Sequence, residues 1–140
     1  MGSIRFLAFY LLSGVSAGLV HMFTNPESTV PTVGASGAIA GVMGAYLLLF
    51  PRSRIVALIP IFFYPAFFEI PAVLYIIFWF WMQVWSGVLS IAAPAQVGGI
   101  AFFAHVGGFL TGILVHRLFL KWRPRYQRLV ADDPEVEVRP

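Results

Sequence analysis

Three long stretches of this chain carry no charge. No Asp, Glu, Lys or Arg lies between Arg5 and Glu27, between Glu27 and Arg52, or between Glu69 and Arg117, gaps of 21, 24 and 47 residues. A hydrocarbon core ~30 Å thick is crossed by about 20 apolar helical residues, so the gaps have room for one, one and two crossings. Only 11% of the 140 residues are charged and 59% are hydrophobic, whereas soluble domains are roughly a quarter charged. The fold class expected is therefore an all-α membrane protein, a polytopic bundle of transmembrane helices.

Four spans follow from the apolar runs and their punctuation. Residues 6–23 contain no Pro and should form the first. Asn25-Pro26 and Val30-Pro31 disfavour helix and mark a loop over 24–33. The second span, 36–50, is short, rich in Gly37, Gly41 and Gly44, and ends at Pro51-Arg52-Ser53-Arg54. Residues 55–68 offer too few apolar positions for a crossing and include Pro60 and Pro65, each of which removes a helical hydrogen bond. They read as an interfacial or re-entrant segment. The third span covers 70–89, with Pro71 tolerated in its first turn, and the fourth covers 100–120 after a loop over 90–99. This makes 1–120 one transmembrane domain.

The cations set the orientation. Arg5, Arg52, Arg54 and the cluster Arg117, Lys121, Arg123, Arg125 and Arg128 fall at one end of this four-span arrangement, and the loops 24–33 and 90–99 hold no Lys or Arg. By the positive-inside pattern the basic end is cytoplasmic, with both chain ends there; an integral, multi-pass protein of the plasma membrane is expected. The tail 121–140 is basic and then acidic and is expected to be disordered. A pI near 9.7 is accounted for by these topology determinants, so no nucleic-acid partner is implied. With no Cys and three scattered histidines, His21, His105 and His116, no disulfide, thiolate or metal site is expected, and no cofactor is called for. No oligomeric state is legible.

Few groups could do chemistry at membrane depth, where a reactive or ionisable side chain is costly. Ser36 opens the second span and His105 lies in the outer third of the last. Counted from the basic end at 1.5 Å per residue, they sit ~21 Å and ~17 Å along their helices, at similar depth. Gly37, Ala40, Gly41 and Gly44 form a small-residue face on one helix, and His105, Gly108 and Gly112 form one on the other, which permits close helix approach. A hydroxyl beside an imidazole is the minimum for nucleophilic acyl transfer. The plainer readings remain open at this point: a Ser after Gly at a helix start is commonly a cap or packing residue, and a lone His is commonly structural. No carboxylate lies on the outer half except Glu27 in a loop, so no third member of a triad is evident.

The run Val30-Pro31-Thr32-Val33-Gly34-Ala35-Ser36-Gly37-Ala38-Ile39-Ala40-Gly41, then Gly44-Ala45-Tyr46 and Pro51-Arg52, resembles the fourth transmembrane segment of rhomboid intramembrane serine proteases. Pro71-Ala72, Trp79-Phe80, Gln83 and Ala104-His105-Val106-Gly107-Gly108-Phe109 resemble the fifth and sixth, and Arg5-Phe6-Leu7-Ala8-Phe9-Tyr10 the start of the third. The resemblance covers residues 1 to about 120. It implies Ser36 as nucleophile and His105 as general base, with Gly34 and Gly37 shaping the loop that presents the Ser36 N–H to the oxyanion. It implies transmembrane proteins as substrates, cut near their outer ends from within the bilayer.

The family core has six spans, and these residues supply counterparts of the last four. The resemblance therefore implies a truncated chain, or one whose Met1 is internal to a longer reading frame. In either case the second-span oxyanion donors have no counterpart here, and neither His21 and Asn25 nor His116 takes that role. The isolated chain is expected to be a poor protease, improved by co-expression with two further spans. Two rivals belong to other classes: a non-catalytic rhomboid-like protein that binds transmembrane clients, and a transporter fragment, which would want more ionisable groups at the midplane.

Overall fold

The computed structural model describes residues 1–27, 33–61, 64–92 and 101–120. Its elements are α1 (Ser3–Thr24), α2 (Ser36–Leu49), β1 (Arg54–Ile61), β2 (Tyr64–Pro71), α3 (Ala72–Ala92) and α4 (Phe102–Phe119). Three of the helices, α1, α3 and α4, are long and apolar enough to cross a membrane, and α2 is a shorter apolar helix of 14 residues. This is a helical membrane bundle with one hairpin added. The expected tail at 121–140 lies outside the described residues, as does Pro94.

Small residues let α1, α2 and α4 close to backbone contact. A Cβ at Gly108 would fall on the carbonyl oxygen of Gly37, one at Gly112 on that of Gly41, and one at Gly44 on that of Phe109. On the other side of α2, a Cβ at Gly37 would sit 2.5 Å from the Ala17 Cβ, and one at Gly41 2.5 Å from Ser13 Cβ and Oγ. In a bilayer apolar surface is no driving force between helices, and van der Waals fit of this kind takes its place. The burial pattern follows: Gly37, Ala38, Ala40, Gly41, Gly44 and Ala45 are buried on α2. Ser13 is also fully buried, its hydroxyl donating to the Phe9 carbonyl one turn back at 2.9 Å.

These contacts fix helix directions. Gly37 opposes Ala17 and Gly41 opposes Ser13, so α1 and α2 are antiparallel; Gly37 pairs with Gly108 and Gly41 with Gly112, so α2 and α4 are parallel. Phe80 stacks on Phe109 at 4.4 Å and Gly87 meets Phe103, which makes α3 antiparallel to α4. Arg5 at the start of α1 donates to the Leu120 carbonyl beyond α4 at 3.2 Å. Arg5, Arg52, Arg54 and Arg117 therefore share one end of the bundle. The start of α2 lies at the other.

The structure gives residues 55–68 a secondary structure that the sequence reading left open. This stretch, expected as an interfacial or re-entrant segment, belongs to an antiparallel hairpin of register Arg54↔Pro71 to Ile61↔Tyr64. Pro60 and Pro65 forbid a helix, but they face each other near the tip of a two-stranded sheet, and an edge strand tolerates proline. Both strands here are edges. Arg54 Nη1 and Glu69 Oε2 pair at 3.0 Å near the base. Ile70 and Pro71, expected in the first turn of the third span, instead end β2, because the Ala72 N–H bonds the Ser53 carbonyl at 2.9 Å.

Candidate active site

Ser36 is the first residue of α2, preceded by Ala35 at the N-cap and by Gly34 with φ +152°. That backbone conformation is one L side chains rarely adopt. It turns the chain into the helix abruptly and leaves the Ser36 side chain exposed. The first helical bond runs from the Ile39 N–H to the Ala35 carbonyl at 3.1 Å. The N–H groups of Gly37 and Ala38 find no backbone acceptor among the described residues, so the positive end of the α2 dipole lies at the base of the serine.

His105 lies in the first turn of α4. Its Nε2 is 2.8 Å from Ser36 Oγ and its Nδ1 is 2.7 Å from Gln83 Oε1 of α3. With the amide oxygen of Gln83 toward the ring, an Nδ1 that carries the proton would donate to it and leave Nε2 to accept from the serine hydroxyl. The imidazole is half-buried, with the Trp79 ring 5.8 Å away at 43°. Three helices thus meet at this site: α4 supplies the ring, α2 supplies Ser36, and α3 supplies Gln83 and Trp79.

Of the residues singled out by sequence, Ser36, His105, Gly34 and Gly37 come together at the end of the bundle remote from the arginines. Gly41, Gly44, Gly108 and Gly112 continue the α2–α4 contact away from it. His21 is elsewhere: its Nδ1 lies 3.3 Å from Asn25 Nδ2, where Asn25 ends α1 by bonding the His21 carbonyl through its N–H at 3.0 Å. His116 is buried near the basic end, donating from Nδ1 to the Ile113 carbonyl at 2.8 Å. Among the described residues no group of three or more His, Cys, Asp or Glu could hold a metal ion.

Sequence reasoning missed the part played by Gln83, which it quoted only for the resemblance. A signal was present: Gln83 is an amide inside a charge-free apolar helix, and Trp79 lies four residues earlier on the same face. Both side chains meet His105.

The chain matches the Rhomboid domain family over residues 1–122. It belongs to that family. The rhomboid family is one of intramembrane proteases, and its helical membrane character agrees with the three spanning helices described above. The chain is also similar to Rhomboid protein 1, mitochondrial, of Saccharomyces cerevisiae (strain ATCC 204508 / S288c), at 26% identity over 120 residues. That match covers 81% of this chain and 31% of the yeast protein, so the chain spans about a third of its relative's length. No solved structure matches it.

Proposed function

We propose that this rhomboid-family chain works as an intramembrane serine endopeptidase, with Ser36 as nucleophile and His105 as general base, acting on transmembrane-segment substrates. The observation that carries the reading is the 2.8 Å separation of Ser36 Oγ and His105 Nε2, within the 2.6–3.2 Å over which a base takes a proton directly. As Oγ bonds to the scissile carbonyl carbon, its proton passes to Nε2. The tetrahedral oxyanion is met by N–H groups at the start of α2, beside Gly34, where an added Cβ would lie 3.7 Å from Ser36 Oγ. Collapse breaks the C–N bond, and Nε2–H returns the proton to the leaving amine. Water then gives a proton to Nε2, attacks the acyl ester and frees Ser36.

The exposed position of Ser36 suits water entry from the end opposite the arginines. An apolar cleft between α2 and α3, lined by Ile39, Val42, Met43, Tyr46, Tyr75 and Ile76, gives a lipid-embedded substrate a surface to lie on. The lysine and arginine asymmetry supports a cytoplasmic basic end, with cleavage near the outer ends of substrates.

The test is cleavage of a model transmembrane substrate in membranes carrying the wild type, Ser36→Ala, His105→Ala and the double variant. Each single change should abolish turnover and the double change should add nothing, because the two groups act as a unit. Undiminished cleavage by Ser36→Ala would exclude the mechanism.

A further inference from the structure

We infer that Gln83 is a positioning residue that holds His105 in the tautomer able to accept a proton from Ser36. The inference rests on the reading of His105 as general base. An unconstrained imidazole favours its proton on Nε2, the nitrogen that faces Ser36 Oγ at 2.8 Å. In that state it has no lone pair for the hydroxyl. An acceptor at Nδ1 reverses the preference, and the Gln83 carboxamide oxygen stands 2.7 Å from it. The other nitrogen's hydrogen bond is what selects a histidine tautomer.

The choice of an amide follows from the setting. A carboxylate would serve as acceptor but would place a formal charge inside a membrane-length helix, where it is expensive. Gln83 offers the same oxygen at the same reach without that charge. Its own position is held from both sides along α3: Phe80, one turn before, stacks on Phe109 at 4.4 Å, and Gly87, one turn after, packs against Phe103. Trp79 completes the face by covering the imidazole. The acceptor is therefore presented by a packed helix rather than by a loop, as an orienting group requires.

The test reads the proton directly. The chain, labelled with 15N-histidine in lipid nanodiscs at a pH where the ring is neutral, is compared with Gln83→Leu and Gln83→Glu; the His105 signals are assigned by their loss in His105→Asn. Wild type should show a protonated Nδ1 and a bare Nε2. Gln83→Leu should move the proton to Nε2, and Gln83→Glu, which retains an acceptor oxygen, should keep Nδ1 protonated. In substrate cleavage, Gln83→Leu should lower kcat about 10- to 100-fold with KM within about twofold, and Gln83→Glu should recover most of the loss. A wild type protonated on Nε2, or a Gln83→Leu protein with wild-type ring shifts or wild-type kcat, would overturn the role of Gln83. The Ser36→Ala blank separates this from the dyad itself: cleavage without Ser36 removes the base reading, whereas the ring shifts need no turnover.

Discussion

Gly34 is where one residue's backbone decides what a neighbour can do. Its φ of +152° sets the turn that places Ser36 at the first position of α2, and a side chain there costs about 1–3 kcal/mol of local strain. Gly34→Ala should therefore reduce active-site labelling of Ser36 more than it lowers thermal stability. Gly18→Ala is the control, since nothing lies within 4 Å of a Cβ there and alanine gains about 0.8–1.0 kcal/mol of helix propensity. Labelling by the two variants, measured with Tm, checks the contrast. Helix rise and glycine faces put Ser36 and His105 at similar depth on helices able to touch, but left the plainer readings of both open; it was the resemblance that paired them. The Gln83 contact was not legible, since no spacing rule says which polar side chain of α3, among Tyr75, Gln83, Ser86 and Ser90, will meet a ring nitrogen.

Among the elements, the α2–α4 seam is the most demanding. At Gly112 an added Cβ would land on the Gly41 carbonyl oxygen, a backbone atom that cannot rotate aside. Gly112→Ala should force the helices apart, costing about 1–3 kcal/mol of overpacking, and should weaken Ser36 labelling although Gly112 lies two turns from His105. Thermal unfolding alongside labelling tests this. The hairpin behaves differently: its Arg54–Glu69 pair is exposed on both sides, so Arg54→Ala should change stability by less than about 1 kcal/mol. Val56, Leu58 and Phe67 are more than half exposed, an apolar surface rooted at the end of two helices. Its unpaired strand edges still need water, so it should rest at the lipid interface. An environment-sensitive dye on Leu58→Cys, in a chain with no native Cys, should report shallow immersion; a fully aqueous signal would count against it. The hairpin escaped sequence reasoning because its apolar residues do not alternate with polar ones. Two prolines excluded helix without announcing strand.

For the whole molecule, the gaps between charges already specified the helices, because each must be satisfied within hydrocarbon and its length is set by the bilayer. The ends were less legible: α3 begins two residues later than expected and runs to Ala92, since pairing of Ile70 with Ile55 claims residues that local propensity would give to helix. Arg5, Arg52, Arg54 and Arg117 share one end of the bundle, and that end should face the cytoplasm. Single cysteines at Ser53 and Ser90 test it with an impermeant maleimide on intact cells, where Ser90→Cys should label and Ser53→Cys should label only after permeabilisation. The reverse pattern would invert the topology.

The claim on which the rest depends is that Ser36 is a nucleophile activated by His105. It is tested most directly by fluorophosphonate labelling of the membrane-embedded protein, with the modified residue located by mass spectrometry. The prediction is a covalent adduct on Ser36 alone in the wild type, lost in Ser36→Ala and in His105→Ala. Labelling of Ser36 at an undiminished rate without His105, or an adduct on another residue, would contradict it.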